Sequence, residues 1–384
     1  TTPMIMAYCP PPSGTLHFTA ANVNRHESPA RGTARATFRV ACMKTSTAIL
    51  NLFALLALLL GLPLLGVALA GKPVAQYLEF PPVTSYVEHA PFKWPVFAGL
   101  AICILAVVAP FLGRVRSSRQ PACPVSSGRA FPWWGWLGVA MGVTTWILAW
   151  NRFPWCAPFQ RFTFTPLWVS YIVVVNALTL RQSGACMLTH RPGYFLALFP
   201  VSAVFWWFFE YLNRFVQSWN YVGVTGLTPL NYAIEATLPF STVLPAVLGT
   251  YDLLLLHPRL TAGLDHWRAI RVGRARVVAA AWLVFCGTGL ALVGILPDVL
   301  FPLLWIAPLG VILALQALQG GTTILAPLAR GDWSRLWLLA LSSLMCGFFW
   351  ELWNFNSLAK WVYAVPYVGR FHIFEMPVLG YSGY

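Results

Sequence analysis

Long apolar runs, separated by short polar segments, dominate the chain after its first 42 residues. At 1.5 Å per residue, a helix of about 20 residues crosses roughly 30 Å of hydrocarbon. The pattern therefore predicts about nine to ten membrane-crossing helices, the last of which begins near residue 371. The other predicted spans are residues 47–70, 94–113, 132–151, 166–182, 195–213, 237–256, 277–296, 299–317 and 335–355.

Composition favours a membrane location over a soluble fold. Hydrophobic residues make up 58% of the 384 residues and charged residues only 9%. Soluble proteins carry roughly 25% charged residues, and so few charges could not cover the surface of a soluble fold of this length. We therefore predict an all-α, polytopic integral membrane protein whose partners include membrane lipids.

Basic residues alternate between the predicted loops. Thirteen arginines lie in the loops of one face, against seven basic residues in the loops of the other. By the positive-inside rule the arginine-rich loops are cytoplasmic, which suits a bacterial inner membrane. The same bias explains the net charge of +14 without nucleic acid, for which the sequence contains no recognition motif.

The start of the chain differs from the rest. Residues 1–42 are polar and lack periodicity, so we predict either an upstream extension before a natural start at Met43 or a disordered tail. The first apolar run ends in Ala68-Leu69-Ala70, which resembles a signal-peptide cleavage site. That run is long for a signal peptide, so an uncleaved helix is favoured. Residues 43–131 then hold two helices and an outer loop.

One sequence pattern occurs twice. Each copy has two aromatic residues, a glutamate, an asparagine three positions later, Trp-x-Tyr, and a second glutamate 25 or 24 residues after the first. Upstream, Trp168 precedes Gly184 and Trp305 precedes Gly321 by the same 16 residues. The pattern predicts tandem parallel repeats of about four helices each, because an even number of spans preserves orientation. The repeats are residues 132–256 and 277–384, joined by an arginine-rich cytoplasmic linker, 257–276; the second stops within its last helix.

The duplicated glutamates are the candidate catalytic residues, because a carboxylate in an apolar span is costly and is often functional. They are Glu210, Glu235, Glu351 and Glu375, all toward the outer face. The neighbouring asparagines and aromatic residues are candidates for substrate binding: Asn213, Asn354, Trp207, Trp219, Tyr221, Trp350, Trp361 and Tyr363. The spacing of Cys and His residues predicts no metal site, and no cofactor motif is present.

The order of an acid, Trp-x-Tyr and a glutamate beside proline resembles the tandem membrane repeats of heterodimeric-type lycopene cyclases. Those cyclases carry a Pro-x-Glu-Glu motif and three spans per repeat, whereas this chain has single glutamates at Glu235 and Glu375 and about four predicted spans per repeat. The resemblance implies acid-initiated carbocation chemistry on an isoprenoid.

Three functions remain open from the sequence. The first is a membrane-embedded enzyme that acts on a lipid or isoprenoid by glutamate acid/base chemistry. The second is a proton-coupled or facilitative transporter of a small solute, since internal repeats are common in transporters. The third is a non-catalytic assembly or sensory subunit, in which the duplicated residues serve helix packing.

Overall fold

The structure is a computed structural model that describes residues 50–82, 84–118, 128–224 and 226–384. The predictions for residues 1–42 lie outside this part of the chain. Residues 57–384 form one compact unit, and all contacts described below lie within it. The longer helices are α1 (Leu50–Leu69), α2 (Trp94–Ser117), α3 (Trp133–Trp150), α4 (Phe164–Ser183), α5 (Pro192–Val216), α6 (Pro229–Phe240), α7 (Val243–Leu254), α8 (Ala275–Leu292), α9 (Leu303–Leu318) and α10 (Ser334–Phe355).

Seven spans in the described part of the chain are long and apolar enough to cross a membrane, which is consistent with an integral membrane protein. They are α1, α2, α4, α5, α6 together with α7, α8 and α10. The predicted number of nine to ten is not confirmed. Helix α3 has 18 residues but includes five tryptophans, and α9 has only 16 residues.

Hydrogen bonds join loops that are far apart in the chain at both ends of the bundle. At one end, Arg152 donates to the backbone oxygen of Asn356 at 2.7 Å, and the backbone N–H of Lys93 donates to Tyr367 at 2.9 Å. At the other end, Arg114 donates to the backbone oxygen of Gly263 at 2.9 Å. The bundle therefore has two distinct ends, and the end with Arg152 is called the glutamate end below.

Two short strands form an antiparallel ribbon at the glutamate end, and we call it the outer ribbon. Strand β1 (Trp219–Val222) follows α5, and β2 (Lys360–Tyr363) follows α10. Helix α5 ends because Gln217 adopts a left-handed conformation, with φ of 51°; its N–H bonds the Asn213 oxygen. This reversal directs β1 back across the end of the bundle.

Residues 372–384 correct one prediction. A further helix starting near residue 371 is wrong, because this segment forms two short paired strands, β3 (His372–Ile373) and β4 (Met376–Pro377), and a 3₁₀ turn over Val378–Gly383. Phe371 and Phe374 have φ of 54° and 58°, values that an α-helix does not accommodate. The segment folds back onto α10 instead of crossing the membrane.

Candidate functional site

The duplicated Glu and Asn residues occupy the last turns of two helices. Glu210 and Asn213 lie in α5, and Glu351 and Asn354 lie in α10. All four side chains are fully buried. Because Glu and Asn are three positions apart, they share one helix face, and in both helices that face is turned toward the outer ribbon.

Each asparagine fastens one ribbon strand to its own helix. The Asn213 amide donates to the backbone oxygen of Trp219 at 2.8 Å and accepts from the backbone N–H of Ser218 at 2.9 Å. The Asn354 amide donates to the backbone oxygen of Trp361 at 2.8 Å and accepts from its N–H at 3.0 Å. Both asparagines therefore position the Trp-x-Tyr segments, a structural role within the candidate site.

Glu210 is held by two side chains of β1. Trp219 Nε1 donates to Glu210 Oε1 at 3.0 Å, and the Tyr221 hydroxyl donates to the same oxygen at 2.6 Å. Trp219 also stacks on Trp305 of α9, with ring centroids 5.6 Å apart. The first copy of the motif thus forms a small hydrogen-bonded cluster under an aromatic layer.

Glu351 is held in a similar way by β2, with one added donor. The Tyr363 hydroxyl donates to Glu351 Oε1 at 2.7 Å, and Trp361 Nε1 donates to the Tyr363 hydroxyl at 2.8 Å. The Tyr384 hydroxyl also donates to Glu351 Oε1 at 2.7 Å. Its ring lies against Gly347, where an added Cβ would overlap it. Gly347 stands four residues before its glutamate, as Trp206 does in the first copy.

The outer ribbon brings the two clusters together. Trp219 lies opposite Tyr363, and Tyr221 lies opposite Trp361. Residues directly opposite in an antiparallel pair, and residues two apart in a strand, point to the same face. All four aromatic side chains therefore share one face of the ribbon. The pairing is symmetric about Asn220 and Val362, so the two Trp-x-Tyr segments are related by a local twofold axis.

The second carboxyl oxygen of both buried glutamates lacks a hydrogen-bond partner. Neither glutamate forms an ion pair with any described residue. Arg214, one helical turn beyond Glu210, acts on it electrostatically but forms no ion pair with it. Arg214 donates to the backbone oxygen of Gln76, and Arg370 lies over the ring of Phe92 at 5.5 Å.

The other two predicted catalytic glutamates are placed differently. Glu235 in α6 pairs with Arg161 at 3.0 Å, and Glu375 pairs with Lys360 of β2. Both carboxylates are half-buried, and neither hydrogen-bonds to Glu210 or Glu351. The structure therefore separates the four glutamates into two buried acids and two ion-paired acids.

The two remaining predicted binding residues also differ in position. Trp207 donates to Thr237 at 2.9 Å and links α5 to α6, so it lies outside both clusters. Trp350 packs at 5.3 Å on Trp206 and at 5.3 Å on Trp361. Trp350 therefore bridges the aromatic surroundings of the two glutamates.

Three participants were missed by sequence reasoning: Tyr384, Trp305 and Gly347. Trp305 was noted only for its spacing to a glycine, yet it stacks on Phe209 at 4.9 Å beside Glu210. The exchange of Trp206 for Gly347 between the two copies was visible in the sequence. This exchange was the one indication in the sequence that a different side chain occupies the place of Trp206 in the second cluster.

The tyrosines outside the helices have perturbed acidity. Burial is the main cause that raises the pKa of Tyr221, Tyr363 and Tyr384 well above the usual value, and the neighbouring glutamate adds to the effect. Their hydroxyls therefore stay protonated and remain hydrogen-bond donors at neutral pH.

A cavity of about 410 Å³ lies between α3, α4 and the turn at Met187–His190. Its lining includes Trp134, Met141 and Val173 and no residue of either cluster. Within the described residues, no group of three or more His, Cys, Asp or Glu side chains could hold a metal ion.

No family model matches the chain, and neither a curated protein nor a solved structure matches it.

Proposed function

We propose that this chain is a membrane-embedded enzyme that acts on a lipid or isoprenoid, with Glu210 and Glu351 as its acid and base. The observation that carries the proposal is the pair of fully buried glutamates, each with one hydrogen-bonded and one unpartnered carboxyl oxygen and, among the described residues, no cation within ion-pair distance. Transferring a proton to a carbon–carbon double bond and removing another requires these two groups and no cofactor.

Electrostatics supports this role. An ionised carboxylate is costly in an apolar interior without a cation, whereas the neutral acid is tolerated. A neutral acid can donate its proton. Trp219 and Tyr221 would then stabilise the charge left on Glu210, because N–H and O–H donors already point at its oxygen.

The aromatic surroundings suit an apolar substrate and a developing positive charge. Trp206, Trp305 and Phe209 pack beside the first cluster, with Phe209 and Trp305 stacked at 4.9 Å. Aromatic faces stabilise cations. Trp305, which stacks on Phe209 and Trp219, is 37% exposed on the bundle surface. The resemblance to lycopene cyclases points to the same chemistry.

We further propose the finer organisation that the sequence suggested. The equivalent Glu–Asn–Trp–Tyr clusters are the centres of two tandem parallel repeats. The arginine-rich end of the bundle is cytoplasmic, in a bacterial inner membrane, and the glutamate end faces outward. The ion pairs of Glu235 and Glu375 stabilise the structure around the ribbon, and these two glutamates take no part in proton transfer.

Mass spectrometry of lipid extracts tests the proposal. Cells making the native chain are compared with cells making Glu210→Gln plus Glu351→Gln, at equal membrane expression. The matched control is Glu235→Gln plus Glu375→Gln, which removes two carboxylates at the same end of the bundle. We expect a lipid or isoprenoid species that forms with the native chain and the control and is absent with the first variant.

The opposite result also has a definite meaning. Identical extracts from the native chain and the Glu210→Gln plus Glu351→Gln variant would contradict the enzyme. Solute uptake into reconstituted vesicles would then test the transporter. A variant that loses only thermal stability, without any change in lipids or uptake, would favour the assembly subunit.

A further inference from the structure

Six exposed arginines are concentrated at the end of the bundle opposite the glutamates, and we call them the arginine patch. They come from two segments that are distant in the chain, residues 268–276 and residues 330–335. Within the part of the chain that the structure describes, none of the six forms an ion pair. The six are Arg268, Arg271, Arg274, Arg276, Arg330 and Arg335.

Hydrogen bonds hold the two segments side by side. The backbone N–H of Ile270 donates to the backbone oxygen of Leu328 at 2.8 Å. The indole N–H of Trp333 donates to the backbone oxygen of Arg268 at 2.8 Å. The arginines of both segments therefore lie on one surface of the folded chain, and that surface is open to its surroundings.

The carboxylates nearest in sequence to the arginine patch have other partners. Asp332 accepts from the backbone N–H of Ser334 at 3.0 Å and so caps the start of α10. Asp265 lies 3.8 Å from Nε2 of the adjacent His266. Two aspartates against six arginines leave the surface strongly positive, which attracts anions.

The ends of two membrane spans fix the depth of the arginine patch. Helix α8 begins at Ala275, directly after Arg274, and Arg335 lies in the first turn of α10. Both helices are apolar enough to cross a membrane, so these arginines lie within one turn of the point where each span begins. Lipid headgroups occur at that depth.

Two exposed aliphatic side chains accompany the arginines. Ile270 and Val272 of the first segment are 47% and 54% exposed. Aliphatic groups beside arginines suit the boundary between hydrocarbon and headgroups, where the apolar side chains enter the lipid and the guanidinium groups extend to the phosphates. A dissolved phosphate would not explain these apolar side chains, so the surroundings favour a lipid.

We propose that the arginine patch binds the phosphate headgroups of anionic phospholipids in the leaflet at this end of the bundle. Each guanidinium presents a planar fork of donors that matches phosphate oxygens. Basic residues next to a membrane span attract anionic lipids by electrostatics. The site lies at the end of the bundle opposite Glu210 and Glu351 and is independent of the chemistry proposed for them.

Native mass spectrometry of the full chain in detergent tests the site, with phosphatidylglycerol, phosphatidylcholine and inorganic pyrophosphate as probes. We expect the native chain to retain phosphatidylglycerol in preference to phosphatidylcholine. Arg271→Gln plus Arg330→Gln removes one charge from each segment and should weaken retention of phosphatidylglycerol about thirtyfold, because each arginine near a membrane surface contributes about fivefold. Both positions are exposed, so the variant should fold like the native chain.

The matched control is Arg181→Gln plus Arg191→Gln, which removes the same charge from the loop between α4 and α5 and should retain phosphatidylglycerol like the native chain. Ile270→Ser plus Val272→Ser leaves the charge unchanged and should also weaken retention. Retention that survives excess pyrophosphate supports the lipid. Binding of pyrophosphate without retention of phosphatidylglycerol would overturn the lipid as the ligand. Equal retention of the two lipids by the native chain, or an equal loss in the Arg271 variant and the control, would overturn the site.

Discussion

Trp219 and Tyr363 lie directly opposite each other in the outer ribbon, and each donates a hydrogen bond to a different buried glutamate. One pair of neighbouring residues therefore connects Glu210 of α5 with Glu351 of α10. Because opposite side chains in an antiparallel pair are in contact, a change in one cluster is transmitted directly to the other.

This link predicts that the two clusters are energetically coupled. Trp219→Phe and Tyr363→Phe should each lower the free energy of unfolding by about 1–3 kcal/mol, because a buried carboxyl oxygen loses a hydrogen-bond donor. The change in the free energy of unfolding of the double variant should differ from the sum of the two single changes by roughly 0.5 kcal/mol or more. Unfolding in detergent measures this. The control pair, Trp219→Phe with Trp267→Phe at the opposite end, should be additive, and equal additivity of both pairs would refute the coupling.

The asparagines should matter for stability in both copies. Asn213→Ala and Asn354→Ala each leave backbone groups of a strand unpaired, which costs about 1–3 kcal/mol per buried group. We expect a lower unfolding temperature for both. Asn231→Ala, on the exposed face of α6, is the control and should change the stability by less than about 0.5 kcal/mol. A neutral effect at Asn213 would show that the strand is held by other contacts.

Gly347 should be required for Tyr384 to reach Glu351. Gly347→Ala introduces a Cβ into the Tyr384 ring, and overpacking of this kind costs about 1–3 kcal/mol. Gly99→Ala in α2 has no atom within 4 Å of the added Cβ and should be neutral or stabilising by up to about 1 kcal/mol. Adding Tyr384→Ala to Gly347→Ala should remove the clash. If Gly347→Ala lowers the stability as much in the Tyr384→Ala background as in the native chain, the packing described for Tyr384 is wrong.

Alkaline pH should weaken the ribbon. Burial raises the pKa of Tyr221 and Tyr363 above the unfolded value near 10, so the folded state holds these protons longer than the unfolded state. Their contribution to stability is complete below about pH 10 and is lost as the pH rises toward the folded pKa values. Unfolding temperatures measured from pH 8 upward should fall above about pH 10. Tyr221→Phe and Tyr363→Phe should flatten this fall, whereas Tyr86→Phe, at an exposed position, should leave it unchanged.

The sequence was sufficient to predict the helical class and the local part of each cluster. A glutamate and an asparagine three positions apart must share a helix face. Trp219 follows Asn213 closely in the chain, so few backbone groups lie within reach of the Asn213 side chain.

The parts of the fold and site that the sequence did not reveal depend on contacts between residues far apart in the chain. The pairing of Trp219 with Tyr363 joins segments about 140 residues apart, and no local pattern fixes its register. Four-residue strands carry too little alternation to be recognised. Tyr384 reaches Glu351 because the left-handed residues Phe371 and Phe374 turn the chain back, and such conformations are not evident from hydrophobicity.

Proton transfer from Glu210 or Glu351 to a lipid can be measured directly by deuterium labelling. The purified chain is incubated with a total lipid extract in D₂O, in parallel with the Glu210→Gln plus Glu351→Gln variant. Acid-initiated chemistry places solvent deuterium on a carbon that does not exchange by itself. We predict that one lipid species gains such a deuterium with the native chain and remains unlabelled with the variant. Equal labelling in both samples, or no labelled lipid with the native chain, would contradict the acid/base role of the two buried glutamates.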